Sequence, residues 1–267
     1  MKRVVKRVLR GAGLTRERVA AARMFGERNA LAALPRSSKP RGRGRILCYH
    51  SIGQPRTGVN DVAPARFRRQ IETALELGYR FVPAQDIART GGEAKDLALT
   101  FDDAWTSVAQ HAAPIIREFG LPWSLFVVSD WSDHAADWTR DVILDWRALE
   151  KLMGDDLDLG SHSVTHPDFG RLDAEATVAE LETSRRVIQQ RLGIAPATFA
   201  IPLGQSMNWT PLAMTAARAA GYEVVYAQAE DTRPEGTAAR TFVTTFDRPA
   251  VFRALLDGAF DRWEEWV

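Results

Sequence analysis

From Ile46 onward the chain alternates short apolar runs with amphipathic stretches. ILCY (46–49), RFV (80–82), LALTF (97–101), SLFVV (124–128), LDLG (157–160), TFAI (198–201), EVVYA (223–227) and TFVTTF (241–246) have the length and composition of buried strands. Between them the spacing turns helical. Pro64 to Leu77 places Phe67, Ile71, Ala74 and Leu75 on one face and stops at Gly78; a further helix runs through Ile115, Ile116 and Phe119 to Gly120. Asp145 to Leu152 reads as helix. Asp173 to Leu192 is the clearest one, with Asp173 as N-cap, Val178, Leu181, Ile188 and Leu192 inward, and Gly193 as the stop. Thr210-Pro211 opens another helix that Gly221 closes, and Pro249 to Leu256 is the last. Strands separated by helices predict a parallel sheet with right-handed crossovers. A closed barrel and an open doubly wound sheet both satisfy this pattern.

Residues 1–44 read differently. Val4, Val5, Val8 and Leu9 recur with helical spacing among Lys2, Arg3, Lys6, Arg7 and Arg10, and a second helical stretch runs from about Thr15 to Leu34. PRSSKPRGRGR follows as a linker. The expected organisation is a basic helical N-terminal extension with its linker, 1–44, and a main domain, 45–267. Charge sharpens the division. Residues 1–45 carry 14 Lys/Arg against 2 Asp/Glu, whereas the rest carries 21 against 32. One reading of residues 1–34 is an interfacial helix against an anionic membrane surface. The others are a solvated tail or a helix packed on the main domain. Charge interrupts every apolar pair in the first ten residues, so no signal peptide is seen, and the expected compartment is cytoplasmic, with the extension touching the inner face of the membrane. No nucleic-acid module accompanies the charge, so no nucleic-acid partner is expected.

The remaining composition is that of a globular α/β protein: 45% hydrophobic and 26% charged residues, with one cysteine, Cys48. That excludes a disordered chain and a disulfide scaffold, and no apolar run is long enough to span a bilayer.

The polar residues of chemical interest follow strands. Tyr49-His50-Ser51 comes after the first, Asp102-Asp103 after LALTF, His162 and His166 after LDLG, and Pro202 and Gly204 after TFAI. In barrels and open α/β sheets the C-terminal strand edge is where sites assemble. Two imidazoles four residues apart, joined by an acidic residue, suit a His₂–carboxylate metal site with an open position for water. Pro167 disfavours helix at His166, so a loop is expected. Adjacent carboxylates such as Asp102 and Asp103 repel each other unless a cation lies beside them. Trp105, Trp131, Trp138 and Trp209 lie in or near loops, where indoles could either pack or stack on sugar faces.

LALTFDDAW, GSHSVTHPDF and FAIPLG, in that order, resemble the three motifs of the polysaccharide deacetylases, the NodB-homology or carbohydrate esterase family 4 group. ILCYHSIG, with its early Tyr-His, resembles the exopolysaccharide-deacetylase branch. The similarity covers roughly residues 45–260. It implies a distorted (β/α) barrel and a metal-dependent hydrolase that removes acetyl groups from N-acetylated sugars of an envelope or exopolysaccharide. It further implies Asp103, His162 and His166 as ligands of a divalent metal, Zn²⁺ by family habit, Asp102 as catalytic base and His50 as general acid. A backbone N–H near Ala104 would help hold the oxyanion, and Trp105, Pro202 and Gly204 would face the acetylated carbohydrate. The chain has five histidines and none follows His166, so a late histidine acid is absent. Three positions depart from the pattern: Ala104 replaces a Gly, Leu203 an aromatic residue, and Ala200 an Arg that orients the base. The missing Arg keeps a non-catalytic sugar-binding protein in play beside the deacetylase, and an O-acetyl esterase is the other alternative.

Overall fold

The computed structural model describes residues 15–34, 42–154 and 156–264. The basic stretch from Met1 to Arg10 lies outside them. The first element, α1 (Arg16–Ala33), is capped by the Thr15 hydroxyl, which accepts from Arg18 N. The strands are β1 (Arg45–Tyr49), β2 (Ser51–Ile52), β3 (Asp61–Val62), β4 (Arg80–Phe81), β5 (Asp96–Phe101), β6 (Trp123–Val127), β7 (Leu157–Ser161), β8 (Thr198–Ala200), β9 (Val224–Gln228) and β10 (Ala238–Phe242). The helices after α1 are α2 (Pro64–Glu76), α3 (Ala84–Thr90), α4 (Ala113–Phe119), α5 (Ser129–Ser132), α6 (Trp146–Leu152), α7 (Ala174–Leu192), α8 (Pro211–Ala219) and α9 (Pro249–Leu256). Asp145, Asp173 and Thr210 cap α6, α7 and α8 through their side chains, where the sequence placed helix starts.

Of the two arrangements the alternation allowed, the chain adopts the closed one. The order β1-β10-β9-β8-β7-β6-β5 runs parallel throughout, and β5 pairs back onto β1 to complete a seven-stranded barrel. The short β4 adds to the first two residues of β5. A side sheet of β2 and β3, not expected from the sequence, lies apart from the barrel. Helix α3 contacts β1, β5 and β9, and its Ala84 and Ile87 pack with Ile46, Ala98, Phe126, Ala200 and Tyr226, so it closes the N-terminal mouth.

The last barrel strand is displaced from its expected place. TFVTTF (241–246) reads as strand, but β10 ends at Phe242, and 244–247 is a turn in which Asp247 accepts from Thr244 N and Thr244 Oγ1. The strand itself, AARTF, is weakly apolar because Arg240 stands at a buried position within it.

Helix α1 docks on the barrel's outer layer. Met24 is buried, Leu31 and Ala32 pack against the main apolar cluster, and Phe25 meets Phe246 edge-on at 5.5 Å. The apolar face expected to lie on an anionic membrane surface is thus divided: one part is committed to the protein, while Val19 and Leu34 stay exposed. Nothing in this arrangement supports a membrane contact. Among the described residues no helix is long and apolar enough to cross a membrane.

Candidate active site

Alternation along the strands builds the site. Cys48 pairs in register with both Thr100 and Phe242, Phe126 pairs with Gly160, and Gln228 with Arg240. Side chains two residues apart share a face. Continuing that face past the strand ends brings His50, Asp102 and His162 to one rim. At this C-terminal end a pocket is lined by Cys48, His50, Asn60, Asp102, Asp103, His162, His166, Gly204, Gln228, Arg240 and Phe242, among others.

Asp102 and Asp103 follow β5 on a tightly curled turn. Asp103 and Ala104 take successive left-handed conformations, φ 70° and 57°. Ala104 occupies a conformation that glycine adopts more cheaply, by about 1 kcal/mol. The curl sends the two carboxylates to different partners. Asp102 receives a two-pronged hydrogen bond from Arg240, Nη1 to Oδ1 at 2.6 Å and Nη2 to Oδ2 at 2.7 Å, and the Cys48 thiol donates to Oδ2 at 3.4 Å. Burial by itself would raise the Asp102 pKa. The Arg240 guanidinium, with His162, outweighs it and holds the carboxyl well below the usual carboxylate range. Arg240 in turn lies inside the barrel, with its guanidinium 5.2 Å from the Phe126 ring and 5.8 Å from that of Tyr226.

Asp103 faces the two imidazoles. Its Oδ2 accepts from Trp105 Nε1 at 3.1 Å, while Oδ1 is buried without a hydrogen-bond partner. That orphaned oxygen stands 3.7 Å from His162 Nε2 and 3.7 Å from His166 Nε2. His162 Nδ1 faces Ala200 O at 2.8 Å, which places the ring proton there and leaves Nε2 as a free lone pair. Burial pushes the His162 pKa down to about 4, so the imidazole is neutral at ordinary pH. Gly160 makes room below: a Cβ at that position would collide with the Phe126 ring and the Thr198 hydroxyl.

The loop carrying His166 is non-helical, as Pro167 requires. Glu180 of α7 fastens it by accepting from Val164 N at 2.8 Å and Thr165 N at 3.0 Å. His166 stacks on Trp131, centroids 5.2 Å apart. A buried, unbonded carboxylate oxygen aimed with two imidazole nitrogens at one point fits a divalent cation. Ligand atoms about 2.0–2.2 Å from one ion in tetrahedral array stand about 3.4 Å apart, close to the spacing found here.

His50 also lies on the rim. Its Nδ1 is buried without a partner and its ring meets Phe242 edge-on at 5.3 Å. Cys48, His50 and Asp102 offer polar atoms within 4.8 Å of one another. The Asn60 Oδ1, also unpartnered, faces the same space. Gly204 lines the pocket, and the exposed Leu203 before it holds φ 65°. Pro202 is buried and does not line the pocket. Trp105 stands behind Asp103 as its hydrogen-bond donor, in contact with Trp138, with Trp131 beyond at 5.0 Å from Trp138. Sequence reasoning missed Arg240, Asn60 and Gln228. For Arg240 the one available signal was an Arg between Ala239 and Thr241, small residues that follow the turn-forming Pro234-Glu235-Gly236.

A parallel barrel with an Asp-Asp-His-His rim defines a hydrolase-like class, and comparison with known proteins makes it particular. The family model for polysaccharide deacetylase matches residues 89–225, half of the chain, and this chain belongs to that family. The match takes in Asp102, Asp103, His162 and His166; His50, Asn60 and Arg240 lie outside it. Among solved structures the chain resembles IcaB from Ammonifex degensii (21% identity, TM-score 0.66, covering 82% of this chain and 97% of that one). It also resembles a de-N-acetylase from Aggregatibacter actinomycetemcomitans (17%, 0.67, 79% and 98%) and the acetate complex of the deacetylase PplD from Streptococcus pyogenes (18%, 0.65, 78% and 94%). At these identities the likeness is one of fold. The Bacillus subtilis protein YxkH is 20% identical over 185 residues, 67% of this chain, and the match spans 62% of YxkH's own length.

Proposed function

We propose that this protein is a metal-dependent carbohydrate de-N-acetylase, cleaving the acetamide of an N-acetylated sugar in an envelope or exopolysaccharide. The observation that carries the reading is the division of labour between two adjacent aspartates: Asp103 turns an unbonded oxygen toward two imidazoles, while Asp102 is held as an anion by Arg240. Asp103, His162 and His166 would hold the metal, and a borderline-soft ion such as Zn²⁺ suits one carboxylate and two imidazoles. When bound, it supplies an acidified water and a polarised carbonyl.

The chain's own groups do the rest. Asp102 accepts a proton from the attacking water through a carboxylate oxygen, and Arg240 keeps that carboxylate ionised and aimed. Water oxygen bonds to the acetyl carbon, the C–N bond breaks, and His50, protonated, donates to the departing nitrogen. An amine leaves poorly unless protonated, so this donation matters most for an amide. Asn60 Oδ1, without a hydrogen-bond partner among the described residues, is available to accept from a sugar hydroxyl.

A non-catalytic binding protein was kept in play by the absence of an Arg at Ala200. A guanidinium does reach Asp102, from β10, so that motive for the reading falls away. The test is metal content after purification, joined to acetate release from paired N- and O-acetylated saccharides. Stoichiometric metal with acetate release from the N-acetyl series is expected. Release from O-acetyl sugars alone would replace the amide reading by the ester one, and neither metal nor release would end both.

A further inference from the structure

Arg28 is an unusual residue for an N-terminal extension. Its side chain is fully buried, 219 residues from the carboxylate that neutralises it, with Nε donating to Asp247 Oδ1 and Nη2 to Asp247 Oδ2, both at 2.6 Å. Its guanidinium carbon lies 4.1 Å from the Phe260 ring centroid and 4.9 Å from that of Trp263, whose Nε1 donates back to Glu27 of the same helix at 3.2 Å. A buried charge pair of this kind is costly to assemble, and removing one partner is strongly destabilising, so the segments at its two ends are held together.

What it fixes is the wall behind His50. Arg28 Nη2 also donates to Phe242 O at 3.1 Å, the last residue of β10, whose ring meets His50 and lines the pocket. Asp247 O accepts from Gln70 Nε2 at 3.2 Å, and Gln70 Oε1 accepts from the hydroxyl of Tyr49, the residue before His50, at 3.1 Å. The same turn is tied by Thr245 N to Val59 O at 2.9 Å, next to Asn60. The Arg28–Asp247 pair therefore connects to three sides of the His50 environment, and these ties differ from the Arg240 clamp on Asp102.

We propose that Arg28 is a positioning residue for His50, so that helix α1, outside the span of the family match, is a built-in part of the site wall. The consequence for turnover rests on His50 as proton donor; the effect on the ring's position does not. The test uses the full chain carrying Arg28→Lys, which keeps charge but loses the fork, and separately Asp247→Asn, which keeps shape but loses charge. Both should retain stoichiometric metal. Turnover of an N-acetyl saccharide should fall about 10- to 100-fold, as expected for displacement of a reacting group by a fraction of an ångström to one ångström. Hydrolysis of an aryl acetate, whose leaving group needs little protonation, should change by less than about threefold. In metal-free protein the His50 ring-proton resonances, set by the adjacent Phe242 ring, should move in both variants while those of His134 stay. Unmoved His50 resonances, or equal losses on amide and ester, would overturn the proposal. Loss of cooperative thermal unfolding in both variants would do the same, because the pair would then be an element of folding alone. If the wild-type protein releases no acetate from any saccharide yet the His50 resonances move as described, the deacetylase reading fails while the positioning role stands.

Discussion

Arg240 and Asp102 meet through two parallel hydrogen bonds of 2.6 and 2.7 Å at a site where both side chains are almost wholly buried. They lie 138 residues apart, on β10 and just past β5, and are brought together by the strands of a closed barrel. The pairing decides the protonation of the nearer of two adjacent carboxylates. The Arg240→Gln variant removes the charge that overrides burial, so the Asp102 pKa should rise. The acid limb of kcat/KM should move to higher pH, with metal retained. Breaking a buried pair costs about 3–5 kcal/mol, so the melting temperature should also fall. An unmoved acid limb would remove Asp102 as the titrating base. For stability the sign is that of a depressed carboxylate. The pair's contribution is complete above the ordinary carboxylate pKa of about 3.9 and is lost as pH falls through the lower folded-state value.

The two aspartates should separate under mutation. Asp103→Ala, His162→Ala and His166→Ala are expected to lose metal, whereas Asp102→Asn keeps it and loses acetate release. Metal analysis of the purified variants decides this, and full occupancy in all three ligand variants would move the ion elsewhere.

His50→Ala should retain fold and metal and lower turnover of N-acetyl substrates by about 10²–10⁴-fold. An activated ester should suffer far less, because its leaving group needs little protonation. Equal losses on both substrates would recast His50 as a binding residue.

The neutral His162 makes the metal-free protein acid-sensitive in a defined window. Its folded-state pKa, pushed down by burial, is about 4, against about 6.5 for an exposed imidazole. Between those values the unfolded chain binds the proton that the folded chain refuses. Stability is therefore complete above about pH 6.5 and declines toward pH 4, by about 3 kcal/mol at about 1.4 kcal/mol per unit. Urea unfolding of EDTA-treated protein at pH 7.5 and 4.5 measures it. His162→Asn should show less of the decline, and an identical decline in wild type and variant would assign it to other groups.

Much of this site was legible without coordinates, because its chemistry is local. Asp102 with Asp103, and His162 with His166, are near neighbours in the chain. Each group follows an apolar run whose pattern marks a strand, so a common rim follows from parallel alternation alone. Local capping placed α6, α7 and α8 to within a residue for the same reason: Asp145, Asp173 and Thr210 act on amides three residues away. What tertiary structure decided is whatever depends on closure. Periodicity is the same in an open sheet and in a barrel, and the β5–β1 pairing that distinguishes them is long-range. Arg240 was hidden because a charged side chain inside a barrel erases the apolar signature of its own strand, and this misplaced β10 toward TFVTTF. Arg28 was hidden for a related reason. On a helix rich in arginine it looks like one more solvated charge, and only the packing of α1 against the segments after β10 removes it from water and gives it Asp247. A residue's type and spacing follow from the chain; which charges lose their water, and against which partner, is settled only when distant segments exclude the solvent between them.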